Sequence, residues 1–510
     1  MSITRSIHRG KHMYGDTLAL SFANRHTSYG QLYDEVASCA GALLELAPAA
    51  GGSVGILSLN CDRAIIGFYG AMWAGKVPNY LNIRWSIFEL GASVDDFAPS
   101  ILLVDKMFLQ MGLDLKQRCS CVEHVILFEE QAELPPGVLN YSDALAQASP
   151  INDQSVGEHE MAFLNYTGGT TGKGKGVIHS HASHTATLGM CISENLFGRG
   201  PTLMTMPLFH ISGIGISNAA LMVGNTLYIL PAYDPVKVLQ TLQDNEIEQA
   251  FMVPTMWQML LHHADFPNYN LSALRCLRYG GSPIDEKLLM ELKTALPTVD
   301  CMQIYGQTEG LPVSMLHDCD HTAQAVESGR TRSAGTVCYG VELEIRDPEG
   351  NALPPGNIGE ITFAGPMLML GYLNMPEKTA ETLIDGRLHT GDAGFLTEDG
   401  YLHVVDRIKD MIITGGENVY SAEVETVILQ LPGVEQCALI GIADEKWGEK
   451  VHAEVILKPG DTLSEVDIIA HCKTYLAGYK IPKSVAFVDA IPLTAVGKVD
   501  KVAIRNKRAR

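Results

Sequence analysis

The densest concentration of phosphate-type chemistry in the chain lies in twelve residues. Tyr166-Thr167-Gly168-Gly169-Thr170-Thr171-Gly172-Lys173-Gly174-Lys175-Gly176-Val177 holds five glycines, three threonines and two lysines. Glycine lets backbone N–H groups approach an anion without a Cβ in the way, threonine adds hydroxyl donors, and lysine adds point charge. Such a run suits phosphates; the plainer alternative is a flexible surface loop. From Gly169 it also approaches the pattern G-x-x-x-x-G-K-[ST], but Gly176 stands where that pattern needs its metal-binding hydroxyl, which excludes the P-loop hydrolases.

Further on, Tyr305-Gly306-Gln307-Thr308-Glu309 sets an aromatic face, a hydroxyl and a carboxylate within five residues. Tyr305 can face a purine, Thr308 can donate to a phosphate, and Glu309 is a hard ligand suited to Mg2+. His210 sits in the apolar run Met206–Gly213, where a lone histidine is ordinarily a satisfied core residue. His179, His181 and His184 are spaced H-x-H-x-x-H without acidic or cysteine partners, and read as the solvated start of a helix rather than a metal site. Asp392 reads as an exposed carboxylate. Arg407 and Lys409 lie in a charged turn, and Lys498, beside Gly497, would by itself be a solvated charge.

In this order and at these separations the segments resemble the motifs of the adenylate-forming (ANL) superfamily, and specifically its acyl-CoA synthetases. The glycine run is similar to Y-T-[GS]-G-T-T-G-x-P-K-G-V, with Gly174 in place of the usual proline, which removes a fixed φ but deletes no phosphate donor. Pro207–His210 is similar to P-[LM]-[FY]-H, Gly280–Pro283 to G-G-x-P, Tyr305–Glu309 to Y-G-x-T-E, Thr390–Asp392 to T-G-D, Asp406–Asp410 to [GD]-R-x-[KD]-D, and Pro492–Lys498 to P-[LR]-[TN]-x-x-G-K.

The resemblance implies ATP, Mg2+ and coenzyme A as co-reactants of a carboxylic acid. Thr167, Gly168, Gly169, Thr170, Thr171, Gly172 and Lys175 would hold the triphosphate. Gly280, Gly281, Ser282, Ile304, Tyr305, Gly306 and Gln307 would surround the adenosine, with Thr308 on the α-phosphate. Asp392 and Arg407 would take the ribose, and Thr167 and Glu309 the metal. His210 would border the carboxylate end of an acyl pocket completed by Ile211, Ser212, Phe251, Gly280, Ile304, Gly306 and Leu311. Of these, Gly280, Gly306 and Ser212 would leave room for the substrate. Lys498 would be the catalytic lysine, Lys409 the hinge, and Gly415 and Gly416 the wall of a pantetheine tunnel.

These side chains need a scaffold. Apolar runs at 18–22, 54–59, 101–104, 125–128 and 161–164 alternate with helical patterns after 27–29 and over 64–74, which predicts parallel sheets covered on both faces, with the glycine run at a carboxyl strand end. Alternation across 341–364 with Pro/Gly turns predicts a small distorted antiparallel barrel. The fold expected is α/β, and the resemblance implies a large N-terminal domain, 1–406, of two parallel-sheet subdomains plus that barrel, then a hinge at 407–410 and a mobile α+β domain over 411–510. In the latter Ser421 is expected as an N-cap, and Ile468, Cys472, Tyr475 and Leu476 are expected to face inward.

Composition sets the outer limits. The chain has 510 residues, 46% hydrophobic and 19% charged, with a formal charge of −21, which argues against nucleic acid and anionic membranes as partners. Eleven scattered cysteines without a C-x-x-C pair suggest a reducing, cytoplasmic setting. The first nine residues hold no apolar h-region, so no secretory signal is expected, and 200–233, free of Asp, Glu, Lys and Arg, reads as a buried helix and strand rather than a membrane span. Cytosolic members of the resembled family are often homodimers. The activity expected is formation of an acyl-adenylate and then a CoA thioester from a medium- or long-chain fatty acid or an aryl or arylalkyl acid. The alternatives are transfer to a carrier-protein thiol and a nucleotide-binding ATPase without CoA.

Overall fold

The computed structural model describes residues 2–48, 52–155, 157–167, 174–282, 284–415, 417–444, 446–494 and 499–508. Its contacts divide the chain into two units, 1–343 with 363–388, and 344–362 with 389–510.

The apolar runs of the first unit form two sheets. One pairs its strands in the order Thr336–Val337, Gly310–Leu316, Asp300–Gln307, Cys276–Gly280, Gln249–Phe251, Thr202–Met204, Leu227–Ile229, Leu18–Phe22, Arg25–Ser28. It is parallel from Asp300–Gln307 to Leu18–Phe22 and antiparallel at both edges. The other runs Gly371–Tyr372, Lys175–Ser180, Met161–Thr167, Val77–Tyr80, Ser53–Leu57, Pro99–Val104, His124–Leu127, Val138–Asn140. A sheet buried on both faces needs continuous apolar strands. Ile101-Leu102-Leu103-Val104 is such a run, fully buried, with Ile101 and Leu103 in one core and Leu102 and Val104 in another. The core holding Ile101 and Leu103 also holds Leu20, Met204 and Phe163, so residues of both sheets share it.

The glycine run does not lead from a strand into a helix. It joins Met161–Thr167 to Lys175–Ser180, which pair antiparallel with Thr167 opposite Lys175, and the helix His181–Ser193 begins only after the second strand. The parallel pairing of Met161–Thr167 with Val77–Tyr80 still puts the run at a carboxyl strand end. The three histidines are not a solvated helix start. They are 1–2% exposed: His179 stacks on Phe163 at 4.7 Å, His181 Nδ1 accepts from Ile3 N, and His184 Nε2 lies 2.9 Å from Asn218 Nδ2. Strand alternation turns His179 inward with Phe163, and the helix that follows packs on the same core.

In the second unit Leu402–Arg407 pairs antiparallel with Arg387–Leu396. Both belong to a sheet with Glu342–Arg346 and Gly359–Ala364, and Leu383–Ile384 of the first unit pairs with the Arg387–Leu388 start of the Arg387–Leu396 strand. A further sheet orders Glu417–Val419, Ile412–Thr414, Gly448–Leu457 and Val434–Asp444, with Ser484–Phe487 added parallel to Gly448–Leu457. It has its own core around Val424, Ile428, Leu439, Val451, Ile468 and Cys472. Ser421 is the first helical residue of Ser421–Leu429, not its N-cap. Its N–H and hydroxyl both donate to Asp406 Oδ2, at 2.5 Å. Tyr475 is 61% exposed, not inward. It ends the Glu465–Tyr475 helix and rests on the His471 ring at 5.0 Å instead. The boundary expected at 407–410 falls inside this unit, where Ile408–Asp410 forms a 3-10 turn. Among the described residues no helix is long and apolar enough to cross a membrane.

Candidate active site

Strand pairing brings the glycine-run hairpin and the Tyr305–Glu309 segment together. Gly371–Tyr372 adds to the outer edge of Lys175–Ser180, with Tyr372 opposite Val177. Lys175 Nζ donates to Tyr372 Oη at 2.9 Å, Tyr372 Oη donates to Glu309 Oε1 at 2.7 Å, and the ammonium lies 3.5 Å from the same carboxylate oxygen. Lys175 and Glu309 are 134 residues apart in sequence. Glu309 is only 8% exposed, so its charge requires such partners. Its main chain is fixed as well, since Glu309 O accepts from Met369 N at 2.9 Å.

Thr167, cross-strand from Lys175, has a buried hydroxyl without a hydrogen-bond partner among the described residues. An unpaired buried hydroxyl costs roughly 1–3 kcal/mol, so this one suits a ligand oxygen or cation as partner. A hydroxyl and a carboxylate are the oxygen donors a hard cation takes, with phosphate oxygens and water completing the shell. Thr167 and Glu309 therefore fit Mg2+. Gly168, Gly169, Thr170, Thr171 and Gly172 lie outside the described residues. Gly174 is described, and its glycine has a cause: a Cβ there would lie 2.6 Å from the Trp85 indole and 3.3 Å from Thr167 O. Packing by Trp85 thus occupies the space a proline ring would need.

The Met206–His210 segment, where an acyl pocket is expected, is clamped by two asparagines. Asn60 Nδ2 donates to Met206 O (3.0 Å) while Asn60 Oδ1 accepts from Leu208 N (2.9 Å), and Asn165 Nδ2 donates to Phe209 O (3.0 Å). His210 caps the helix Ile211–Val223: its Nδ1 accepts from Ser212 N (3.2 Å) and lies 2.8 Å from Ser212 Oγ. The expectation that Gly280 and Gly306 leave room does not hold. A Cβ on Gly280 would meet Ile304 O at 2.6 Å and the Phe251 ring at 3.5 Å, and one on Gly306 would meet Leu311 Cβ at 2.7 Å. These glycines permit close strand packing, and their neighbours already fill the space. Gly281 has a φ of +81°, which favours glycine, and Ser282 follows it, partly exposed. Gln307 ends the Asp300–Gln307 strand with Thr308 just beyond, both partly exposed like Tyr305.

In the second unit Asp392 is buried, not exposed. It faces Arg407 across the Arg387–Leu396/Leu402–Arg407 pair, with Arg407 Nε 2.6 Å from Asp392 Oδ1. Burial of the carboxylate is offset by that guanidinium, whose side chain stays 45% exposed. Lys409 lies on the Ile408–Asp410 turn, which Arg505 anchors through Asp410 at 2.9 Å. Gly415 has a φ of +62° and donates its N–H to Trp447 O. Gly416 and Lys498 lie outside the described residues.

Sequence reasoning passed over Tyr372, Trp85, Asn60 and Asn165. Tyr372 was visible only as part of a short strand, and its contact with Glu309 depends on an edge-strand register. The asparagines were signalled weakly, as amides inside or beside apolar runs, where a buried amide must bond something. A cavity of about 290 Å3 lined by Glu194, Asn195, Asp300, Met302, His317 and Cys319 lies at the amino end of the Asp300–Gln307 strand, opposite the end carrying Tyr305 and Glu309.

Residues 8–373 match the AMP-binding enzyme family and residues 423–498 the AMP-binding enzyme C-terminal domain. A feruloyl-CoA synthase from an Amycolatopsis species is 35% identical over 483 residues, 94% of each chain. The medium/long-chain-fatty-acid–CoA ligase FadD8 of Mycobacterium tuberculosis is 32% identical over 496 residues, 93% of this chain and 85% of that one. Among solved structures, the amide bond synthetase McbA from Marinactinospora thermotolerans matches with a TM-score of 0.89 at 30% identity, covering 99% of this chain and 100% of that one.

Proposed function

Because the chain belongs to the AMP-binding enzyme family, we propose that it is an AMP-forming acid–CoA ligase acting on an aryl or medium-chain carboxylic acid. The observation that carries this reading is the convergence of Lys175, Tyr372 and Glu309 beside the Thr167 hydroxyl, which has no partner among the described residues. A hydroxyl and a cation at the two ends of a glycine-rich hairpin, Thr167 and Lys175, with a carboxylate nearby that could hold Mg2+, suit a triphosphate. The names of the relatives, feruloyl and medium/long-chain fatty acid, support the substrate class.

In the first half-reaction a carboxylate oxygen bonds to the ATP α-phosphorus and the bond to the β-phosphate oxygen breaks, releasing pyrophosphate. Two anions meet, so positive charge must be preplaced. Lys175, held between Tyr372 and Glu309 in the free protein, would turn its ammonium to the phosphates, and Thr308 would donate to the α-phosphate. Glu309 and Thr167 would hold Mg2+, which would neutralise charge on the phosphate oxygens. Lys498 would bridge carboxylate and α-phosphate. His210, its ring fixed by Ser212, would pack against the acid's carboxylate end. Asp392 and Arg407 would grip the ribose. In the second half-reaction the CoA sulfur, losing its proton, attacks the acyl carbon and AMP leaves. Rotation about Lys409, between a domain ending near 406 and one beginning near 411, would exchange Lys498 for the Gly415–Gly416 wall of a thiol tunnel.

The test is pyrophosphate release from ATP with a panel of carboxylic acids, followed by product analysis with CoA or an amine as acceptor. Acid-dependent pyrophosphate and a CoA thioester are expected. Acid-independent release of inorganic phosphate, or an amide in preference to the thioester, would overturn the reading.

A further inference from the structure

Asn165 is 1% exposed, in the middle of the strand Met161–Thr167. Alternate residues of a strand share a face. Leu164 and Tyr166 enter the core that holds Leu102 and Val104, so Phe163, Asn165 and Thr167 face the other way. There Phe163 meets the His179 ring, Asn165 Nδ2 donates to Phe209 O at 3.0 Å, and the Thr167 hydroxyl has no hydrogen-bond partner among the described residues. A strand position turned toward a core is ordinarily apolar, as Phe163 is, and a buried amide is costly unless it is bonded.

That bond joins two segments to which the ligase reading gives different reactants. Phe209 precedes His210, whose ring is fixed through Ser212. Two residues beyond Asn165, about 7 Å along the strand, stands Thr167 at the foot of the glycine run. Asn60 already holds Met206 O and Leu208 N of the His210 segment. Asn165 adds a link from that segment to the strand carrying Thr167.

We propose that Asn165 is a positioning residue for adenylate formation. Its amide, acting through Phe209 O, sets the separation between the acid's carboxylate end at His210 and the triphosphate at the Thr167–Lys175 hairpin, and so aligns the attacking oxygen with the α-phosphorus. This rests on the ligase reading and deepens it. Reaction between two bound groups is steep in distance, a misplacement of about 1 Å costing on the order of 100-fold. Binding of each reactant to its own segment is not. Once the two are joined as acyl-AMP, covalent bonds set the separation and Asn165 has nothing left to align.

The test uses Asn165→Leu, which keeps the bulk and removes the donor, and Asn165→Ser, which adds no atoms to the core and serves if the leucine variant does not fold. Urea unfolding confirms that each variant assayed is folded. With an acid that the wild type turns over, kcat for pyrophosphate release should fall about 100-fold in Asn165→Leu and about tenfold in Asn165→Ser. The KM values for ATP and for the acid should move less than about threefold, the pattern of an interaction felt in the transition state. Conversion of supplied acyl-AMP to the thioester with CoA should stay within about threefold of wild type. A merely structural role would lower both half-reactions together, or raise a KM with kcat intact. Either result overturns the proposal, as does wild-type kcat in the folded variants. If the wild type releases no acid-dependent pyrophosphate, it is the ligase reading that fails, and this inference falls with it.

Discussion

The two sides of the site in the first unit are built on opposite terms. The side at the glycine-run hairpin is polar: among the described residues Lys175, Tyr372 and Glu309 satisfy one another, and the Thr167 hydroxyl has no partner. The side proposed for the acyl group is apolar, with Ile304, Phe251 and Leu311 closing the space beside Gly280 and Gly306, while the space beside Gly215 is open. Charge can be kept in reserve by a neighbour that lets go. Space cannot, because close packing commits it when the chain folds. ATP should then be recognised by exchanging partners, and the acid by fitting a volume already there.

The largest effect that separates the two sides is expected from Lys498→Ala. Acyl-adenylate formation should fall about 100-fold or more, as when one transition-state donor is lost, while supplied acyl-AMP should still be converted to the CoA thioester. Equal loss in both half-reactions would break the division of labour. Next comes a pair of glycines. Gly280→Ala drives a Cβ onto the Ile304 carbonyl and should lose about 1–3 kcal/mol of stability. Gly215→Ala meets nothing and should gain up to about 1 kcal/mol from helix propensity. Urea unfolding reads both, and similar values would mean that the two environments do not differ.

Behind the hairpin, burial pushes His179 and His184 down to about 3 and His181 to about 4. In the unfolded chain they take up protons near 6.5. From pH 6.5 down to about 4 the unfolded state thus binds more protons, and stability falls with acidification by up to roughly 1.4 kcal/mol per pH unit for each histidine. His179→Phe, which keeps the stack on Phe163, should flatten that slope by one proton; an unchanged slope between pH 6.5 and 4.5 contradicts the burial. The smallest effect is expected from Tyr372→Phe. It removes one hydrogen bond to Glu309, worth about 1 kcal/mol, and should raise the KM for ATP about fivefold while leaving that for the acid alone. A change in the acid's KM would show that the sides are coupled.

How much of this could be read from residues alone follows the same divide. Alternating apolar runs and helical periods were enough for the two sheets and the small C-terminal core, and the phosphate-side motifs name their own donors. Three things escaped. The hairpin around the glycine run was hidden because Val177-Ile178 is too short a run to declare a second strand. The burial of His179, His181, His184 and Asp392 was hidden because polarity was taken for exposure, whereas Ile3, Asn218 and Arg407 bond or pair with His181, His184 and Asp392 from other segments, and His179 stacks on Phe163. Which glycine leaves room was hidden because it depends on what stands opposite: a carbonyl at Gly280, Leu311 at Gly306, nothing at Gly215. Gly174 tells the same story, since Trp85, nearly ninety residues earlier, fills the place of the missing proline ring.

Carboxylate attack on the α-phosphorus can be traced directly by turning over a carboxylic acid carrying 18O in both carboxyl oxygens with ATP and CoA. One 18O per turnover should appear in AMP and none in pyrophosphate, because the attacking oxygen stays on phosphorus when the thiol displaces it from carbon. Unlabelled AMP, or label in pyrophosphate or inorganic phosphate, would contradict the assignment of this site to acyl-adenylate chemistry.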